Sequence, residues 1–239
     1  MDSRFAVGTP IGRRLFLAGL GVTLLAGCTR RGSTSTGETT SGAGAATAVA
    51  TPTAPEGRTL GSLLDAIKKR RSTRAYTSAA VDEKDIALMA WSAQGITDTV
   101  NRLRAAPSAM AAYPLRLYVA TPAALRLYEP DRDGFKEVRA GDVRPELFEA
   151  SGQTSVQTAP AVFVVTGRYG MLEADMGEKA QRCVHLEAGH ATQNLTLTAT
   201  SLGLAGVTAG TFEDSMVQKV LGVSNDETPL YLVPIGHPA

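Results

Sequence analysis

From Glu173 to Leu202 the chain carries no proline and is rich in alanine, leucine, glutamate and threonine, so it reads as one long helix that Gly203 terminates. Just before it, Ala161 to Thr166 is a compact apolar run of valine and phenylalanine. That pattern predicts a strand buried on both faces, at the centre of a sheet. Leu60, Leu63, Leu64 and Ile67 recur at helical spacing and run into the basic cluster Lys68 to Arg71, which predicts a first helix ending near Arg70. Asp82 can cap a second helix, with Ile86, Met89, Ala90 and Ala93 as its buried stripe and Gly95 as its stop. Leu115 to Thr121 alternates like a strand, and Tyr128 to Val138 forms a hairpin around the turn Asp131 to Gly134. Val207-Thr208 is a short strand, Asp214 to Leu221 a helix and Leu230 to Ile235 a last strand. Helices and strands follow one another without strict alternation, which points to an α+β fold.

Only part of the 239 residues can join that fold. Residues 1–27 read as a targeting segment: Arg4, Arg13 and Arg14 precede an apolar run from Leu15 to Ala26 that is too short to span a bilayer comfortably. Arg13-Arg14-Leu15-Phe16-Leu17 resembles a twin-arginine export signal, a route taken by chains already folded and loaded with cofactor. Leu25-Ala26-Gly27-Cys28 resembles a bacterial lipobox, which implies acylation of Cys28 and an exported protein anchored on the extracytoplasmic side of the cell membrane. The alternative is an ordinary signal peptide, or an uncleaved anchor, with a chance cysteine. Residues 28–56, dominated by Ser, Thr, Gly, Ala and Pro, form a tether with too little apolar content to fold. Residues 57–239 have globular composition and suffice for one domain.

With Cys28 lipidated, Cys183 is the remaining thiol and no internal disulfide can form. Removing Asp2, Arg4, Arg13 and Arg14 with the leader leaves 21 basic against 22 acidic residues, a balance that gives no footprint for nucleic acid.

Four clusters could carry chemistry. Arg70-Arg71-Ser72-Thr73-Arg74 puts guanidinium groups and a hydroxyl at a helix end, a phosphate site or simply a solvated face. Ala106-Pro107-Ser108-Ala109-Met110-Ala111-Ala112-Tyr113-Pro114 is a small-residue loop that lets a flat ligand approach the backbone, or merely a tight connection. Glu187-Ala188-Gly189-His190 lies in the long helix, where Cys183, Glu187 and His190 share a face. One helix supplies an incomplete metal site, and no second Glu-x-x-His accompanies it, so these are read as core or interface residues and no metal is expected. Gly203 to Gly210 is a glycine-flanked strand whose amides can reach a ring edge, although tight turns also demand glycine. No dinucleotide-binding glycine fingerprint follows a strand.

The order of these pieces carries more than any one of them. Arg-Arg-Ser-x-Arg, Ala-Gln-Gly-Ile-Thr, Ala-Pro-Ser-Ala with Tyr-Pro-Leu, Glu-Ala-Gly-His-x-x-Gln-Asn-Leu and Leu-Gly-Leu together resemble the nitroreductase family, nearest its SagB-type dehydrogenase branch, from about Leu63 to Pro238. The resemblance implies a central mixed, mainly antiparallel sheet flanked by helices, with the long helix forming the interface of a homodimer. It implies FMN between subunits, with Arg70, Arg71, Ser72 and Arg74 on the phosphate and ribityl chain. Pro107, Ser108 and Ala109 would line the flavin from the partner subunit, and Ala209 and Gly210 would supply backbone contacts near flavin N5. No side chain is assigned as a catalytic acid or base.

Two departures stand out. The sequence shows Ile235-Gly236-His237-Pro238-Ala239 where many members carry a basic residue, and Met110 with Ala111 and Ala112 offers the ring no polar side chain. The implied chemistry is two-electron transfer from a donor, through flavin N5, to a small-molecule acceptor. Nicotinamide cofactors stay in the cytoplasm, so a quinol, an exported redox protein or a substrate being dehydrogenated fits export better as donor. The alternative is a lipid-anchored binding module of the same fold that turns nothing over.

Overall fold

The computed structural model describes residues 61–239; the leader, Cys28, the whole of the tether and Leu60 lie outside the described residues. The chain begins with α1 (Leu63–Lys69), whose N-cap Ser62 accepts from the Asp65 amide, and α2 (Glu83–Gln94), capped by the Asp82 carboxylate and stopped at Gly95. Short strands β1 (Ile96–Asp98) and β2 (Leu103–Arg104) pair with each other and lead through a loop to β3 (Leu115–Ala120). β4 (Ala124–Glu129) and β5 (Gly134–Ala140) form the expected hairpin. Then come α3 (Arg144–Ser151), α4 (Thr154–Thr158), β6 (Ala161–Gly167), α5 (Gly170–Met176), α6 (Lys179–Ser201), β7 (Ala205–Gly206), α7 (Asp214–Leu221) and β8 (Thr228–Gly236).

The main sheet has the order β5-β4-β3-β6-β8-β7, and every pair of neighbouring strands in it is antiparallel. The mixed character expected of it reduces to one parallel bridge, between Ser72 and Gly206. β6 is central and buried along its whole length, as its composition predicts. Side chains alternate across a strand, so Ala161, Phe163 and Val165 enter one core with α2 and α6, while Val162 and Val164 enter a second with α3, α4 and α7. Two helical layers therefore sandwich the sheet. Ile86, Met89, Ala90 and Ala93 are all buried, the stripe read from sequence.

Two expectations need correction. The long helix is broken: Gly177 takes φ 53°, its amide closes α5 on the Glu173 carbonyl, and α6 restarts at Lys179. The short strand lies at Ala205–Gly206 instead of Val207-Thr208, because register on β8 is set by Ala205↔Gly236 and Gly206↔Ile235. α1 forms and ends at Arg70 as its spacing predicts, with Leu63, Leu64 and Ile67 65%, 67% and 51% exposed and Ala66 alone buried there.

Candidate active site

The segment after α1 is fixed by backbone bonds to the end of the sheet. Ser72 bridges Gly206, the Thr73 amide donates to the Gly206 carbonyl at 3.0 Å, and the Thr77 amide donates to the His237 carbonyl at 2.9 Å. The Tyr76 hydroxyl reaches the Thr73 and Pro234 carbonyls, and its burial pushes the phenol well above its ordinary range. Gly206 is needed for this docking, since a Cβ there would lie 2.3 Å from Ile235 Cδ1 and 2.8 Å from the Pro234 carbonyl.

The three arginines then separate in role. Arg71 folds back and donates from Nη1 to the Lys68 and Arg70 carbonyls at 2.8 Å, capping the C-terminus of α1. Arg74 and Ser72 are exposed and Arg70 is half-buried. A guanidinium held near a hydroxyl on a fixed backbone can bind a phosphate.

Four residues beyond Gly206 lies Gly210, exposed in an open cleft of about 690 Å³ with Tyr169, Gln181, His185 and Tyr231. Tyr169 and His185 are joined there, hydroxyl to Nε2, at 2.7 Å. Ala209 differs from expectation. It is buried, its amide donates to the Leu232 carbonyl at 2.8 Å, and its carbonyl accepts from the Leu232 amide at 2.9 Å. Its amide proton is therefore committed to the sheet.

Pro107, Ser108 and Ala109 stand apart from these groups, in the loop over α6. Met110, Ala111 and Tyr113 have φ of 56°, 54° and 51°, a left-handed run without a glycine. Strain of this kind persists only where surrounding bonds hold it. Here the Tyr113 amide donates to Ser108 Oγ at 2.9 Å, and the Tyr113 hydroxyl accepts from the Arg104 amide at 3.0 Å. The Arg104 guanidinium stacks on the Tyr113 ring, 4.8 Å from its centre, and donates to Gln94 Oε1 at 2.9 Å. Met110 itself is 67% exposed. The chain thus gathers the expected residues into two groups, one along the Gly206 edge and one over α6.

Beneath the loop lies Glu187, 2% exposed, which the sequence analysis reads as a core or interface residue. Burial pushes its carboxyl up to about 7, against the smaller pull of Ser108 and of the Arg104 guanidinium. Its signal was present: Ala180, Val184, Glu187 and Ala191 share the buried stripe of α6, so a carboxylate occupies a core position. His190 is exposed while Glu187 is buried, and among the described residues no three His, Cys, Asp or Glu side chains group as a metal site requires.

A model of the nitroreductase family matches residues 67–237. A protein of Methanocaldococcus jannaschii assigned to the nitroreductases is 34% identical over 181 residues, covering 73% of this chain and 90% of that one. A crystal structure from Ralstonia eutropha, also assigned to the nitroreductases, superposes with a TM-score of 0.71 at 26% identity, covering 79% of this chain and 89% of that one. A relative from Desulfovibrio desulfuricans solved in complex with FMN has a TM-score of 0.57 at 24% identity, covering 76% and 88% respectively, and shares the fold.

Proposed function

This chain belongs to the nitroreductase family, and we propose that it is an FMN-dependent oxidoreductase of the SagB-type dehydrogenase branch, working as a homodimer tethered by lipid outside the cytoplasmic membrane. The observation that carries the flavin reading is the docking of the Arg70 to Arg74 segment on Gly206, four residues before Gly210 enters the open cleft. A phosphate-bearing flat ligand needs an anion grip and a cleft; Arg70 and Arg74 on the segment docked at Gly206 are candidates for the first, and the Gly210 cleft for the second.

The residues present fit FMN. Arg70 and Arg74 would hold the phosphate with Ser72, while Arg71 stays on α1. Gly210 would offer its amide at the ring edge, and Pro107, Ser108 and Ala109 would cover the ring from the second subunit. Bound FMN supplies two-electron chemistry. The chain's own part is to orient the ring, exclude water from the cleft and admit a small acceptor beside Tyr231 and the Tyr169–His185 pair. Pairing of subunits is supported by the exposed apolar face Leu63, Leu64 and Ile67 of α1, with Leu186 of α6 at 54% exposure.

Export and anchoring rest on Arg13-Arg14 and on the Leu25 to Cys28 lipobox. A donor available outside the cytoplasm, such as a quinol or a second exported redox protein, follows from that location. The binding-module alternative draws on the spent Ala209 amide and on Met110-Ala111-Ala112, which limit the polar contacts offered to a ring. Reoxidation of the dithionite-reduced protein separates the two. Acceleration by quinones or nitroarenes beyond the rate in air identifies the enzyme; yellow protein with no acceleration identifies the binding module.

A further inference from the structure

Two glutamates are sunk in the interior of this protein, and they are treated differently. Glu227, 4% exposed, accepts from the Tyr118 and Thr166 hydroxyls at 2.7 Å and pairs with Arg116 at 3.3 Å. Such a carboxylate is satisfied as a structural group should be. Glu187 is more deeply buried, yet its oxygens have no partner at full hydrogen-bond geometry, and the Ser108 hydroxyl is the group that reaches toward them. A buried carboxyl so thinly satisfied costs stability unless it is neutral or has another task.

Its surroundings suggest the task. From the loop, Ser108 acts on it; from β2, Arg104 acts on it, but that guanidinium is committed to Gln94 of α2 and to the Tyr113 ring. Cys183 and His190 sit one turn before and after it on α6 itself. Ser108 Oγ already accepts the Tyr113 amide proton that holds the strained turn. A hydroxyl has one proton and two lone pairs, so with one lone pair on the Tyr113 amide the Ser108 proton can point toward Glu187 or away from it.

We propose that Glu187 is a positioning residue whose protonation sets the hydrogen-bond direction of Ser108 toward the flavin, an inference that rests on the FMN reading above. Neutral, Glu187 donates to the second lone pair of Ser108 Oγ, and the Ser108 O–H is released outward as a donor to the ligand. Ionised, Glu187 accepts the Ser108 proton, and the loop presents only lone pairs to the ring. Deprotonation near neutral pH therefore removes one donor from the cofactor surface without moving the backbone.

The test is fluorescence titration of FMN, and of riboflavin to remove the phosphate's own titration, into apoprotein between about pH 5.5 and 8.5, in wild type, Glu187→Gln and Ser108→Ala. Loss of one neutral hydrogen bond corresponds to about a fivefold weaker dissociation constant at the alkaline end for wild type. Glu187→Gln, which keeps an amide donor, is expected to bind with little pH dependence, and Ser108→Ala to be both weaker at acid pH and flat. A wild-type affinity independent of pH, or an unchanged slope in Glu187→Gln, overturns the inference. Melting temperatures of the apoproteins give a readout without flavin. An acid whose folded form holds its proton to higher pH than the unfolded chain stabilises most at low pH. Wild type should therefore lose stability relative to Glu187→Gln as pH rises from about 5 to 8. No such difference also refutes the inference; a clear difference in a protein that binds no flavin at any pH sinks the FMN reading and leaves the carboxyl's proton exchange standing.

Discussion

Arg71 and Arg74 are three residues apart and chemically identical, and the account assigns them unrelated work, which makes the pair a sharp test. Arg74 is exposed on the segment pinned to Gly206, where its guanidinium is available to a phosphate. A hydrogen bond to a charged group contributes about 1.5–3 kcal/mol, so Arg74→Ala should weaken FMN about 10- to 100-fold. Riboflavin lacks the phosphate, and its affinity for the same variant should change less than about threefold. Arg71 donates two bonds to carbonyls at the end of α1 and none toward the Gly210 cleft. Its replacement by alanine removes a cation from a helix C-terminus, worth about 0.3–1 kcal/mol of stability. That loss lowers the melting temperature by a few degrees at most and leaves FMN affinity nearly intact. Fluorescence quenching with both ligands, run beside thermal unfolding, reads all four quantities. The reasoning is refuted if Arg71→Ala costs as much FMN affinity as Arg74→Ala, or if Arg74→Ala weakens riboflavin as much as FMN.

Other expectations are simpler. Gly206→Ala forces a Cβ to 2.3 Å from Ile235 Cδ1, so it should cost about 1–3 kcal/mol and loosen FMN together with the Arg70 to Arg74 segment. Gly210→Ala meets Tyr231 at only 3.7 Å, and thermal unfolding should register a change within about 0.5 kcal/mol while the acceptor cleft narrows. If Cys28 carries the anchor, Cys28→Ser should move the protein from the membrane fraction to the soluble fraction after cell lysis; retention on membranes would remove the lipobox from the account.

Where the sequence was legible, two signals agreed at one place. α2 has a capping aspartate, a periodic stripe and a terminal glycine, and it forms as read. β6 could be recognised from its run of valines because packing on both faces demands such a run, whichever way its neighbours point. The break at Gly177 was hidden, since one glycine in a strongly helical stretch is a weak stop until its φ turns positive. α3 and α4 are short, and their few buried residues, Leu147, Ala150, Ser155 and Val156, give too little periodicity to detect. In the candidate site, the order of motifs located the segments but could not assign their atoms. Whether Arg71 faces a ligand or a helix end, and whether the Ala209 amide is free or paired with Leu232, depends on register that only the folded chain fixes. Glu187 was visible as a charge on a buried stripe, but its closeness to Ser108 and the thinness of its hydrogen bonding were not.

A crystal structure of the protein loaded with FMN tests the central claim most directly. The account predicts a dimer with phosphate oxygens about 3 Å from the Arg70 and Arg74 guanidinium groups, and with the ring between Gly210 of one protomer and the Pro107 to Ala109 loop of the other. Phosphate density away from that segment, or a flavin enclosed by a single protomer, would contradict it.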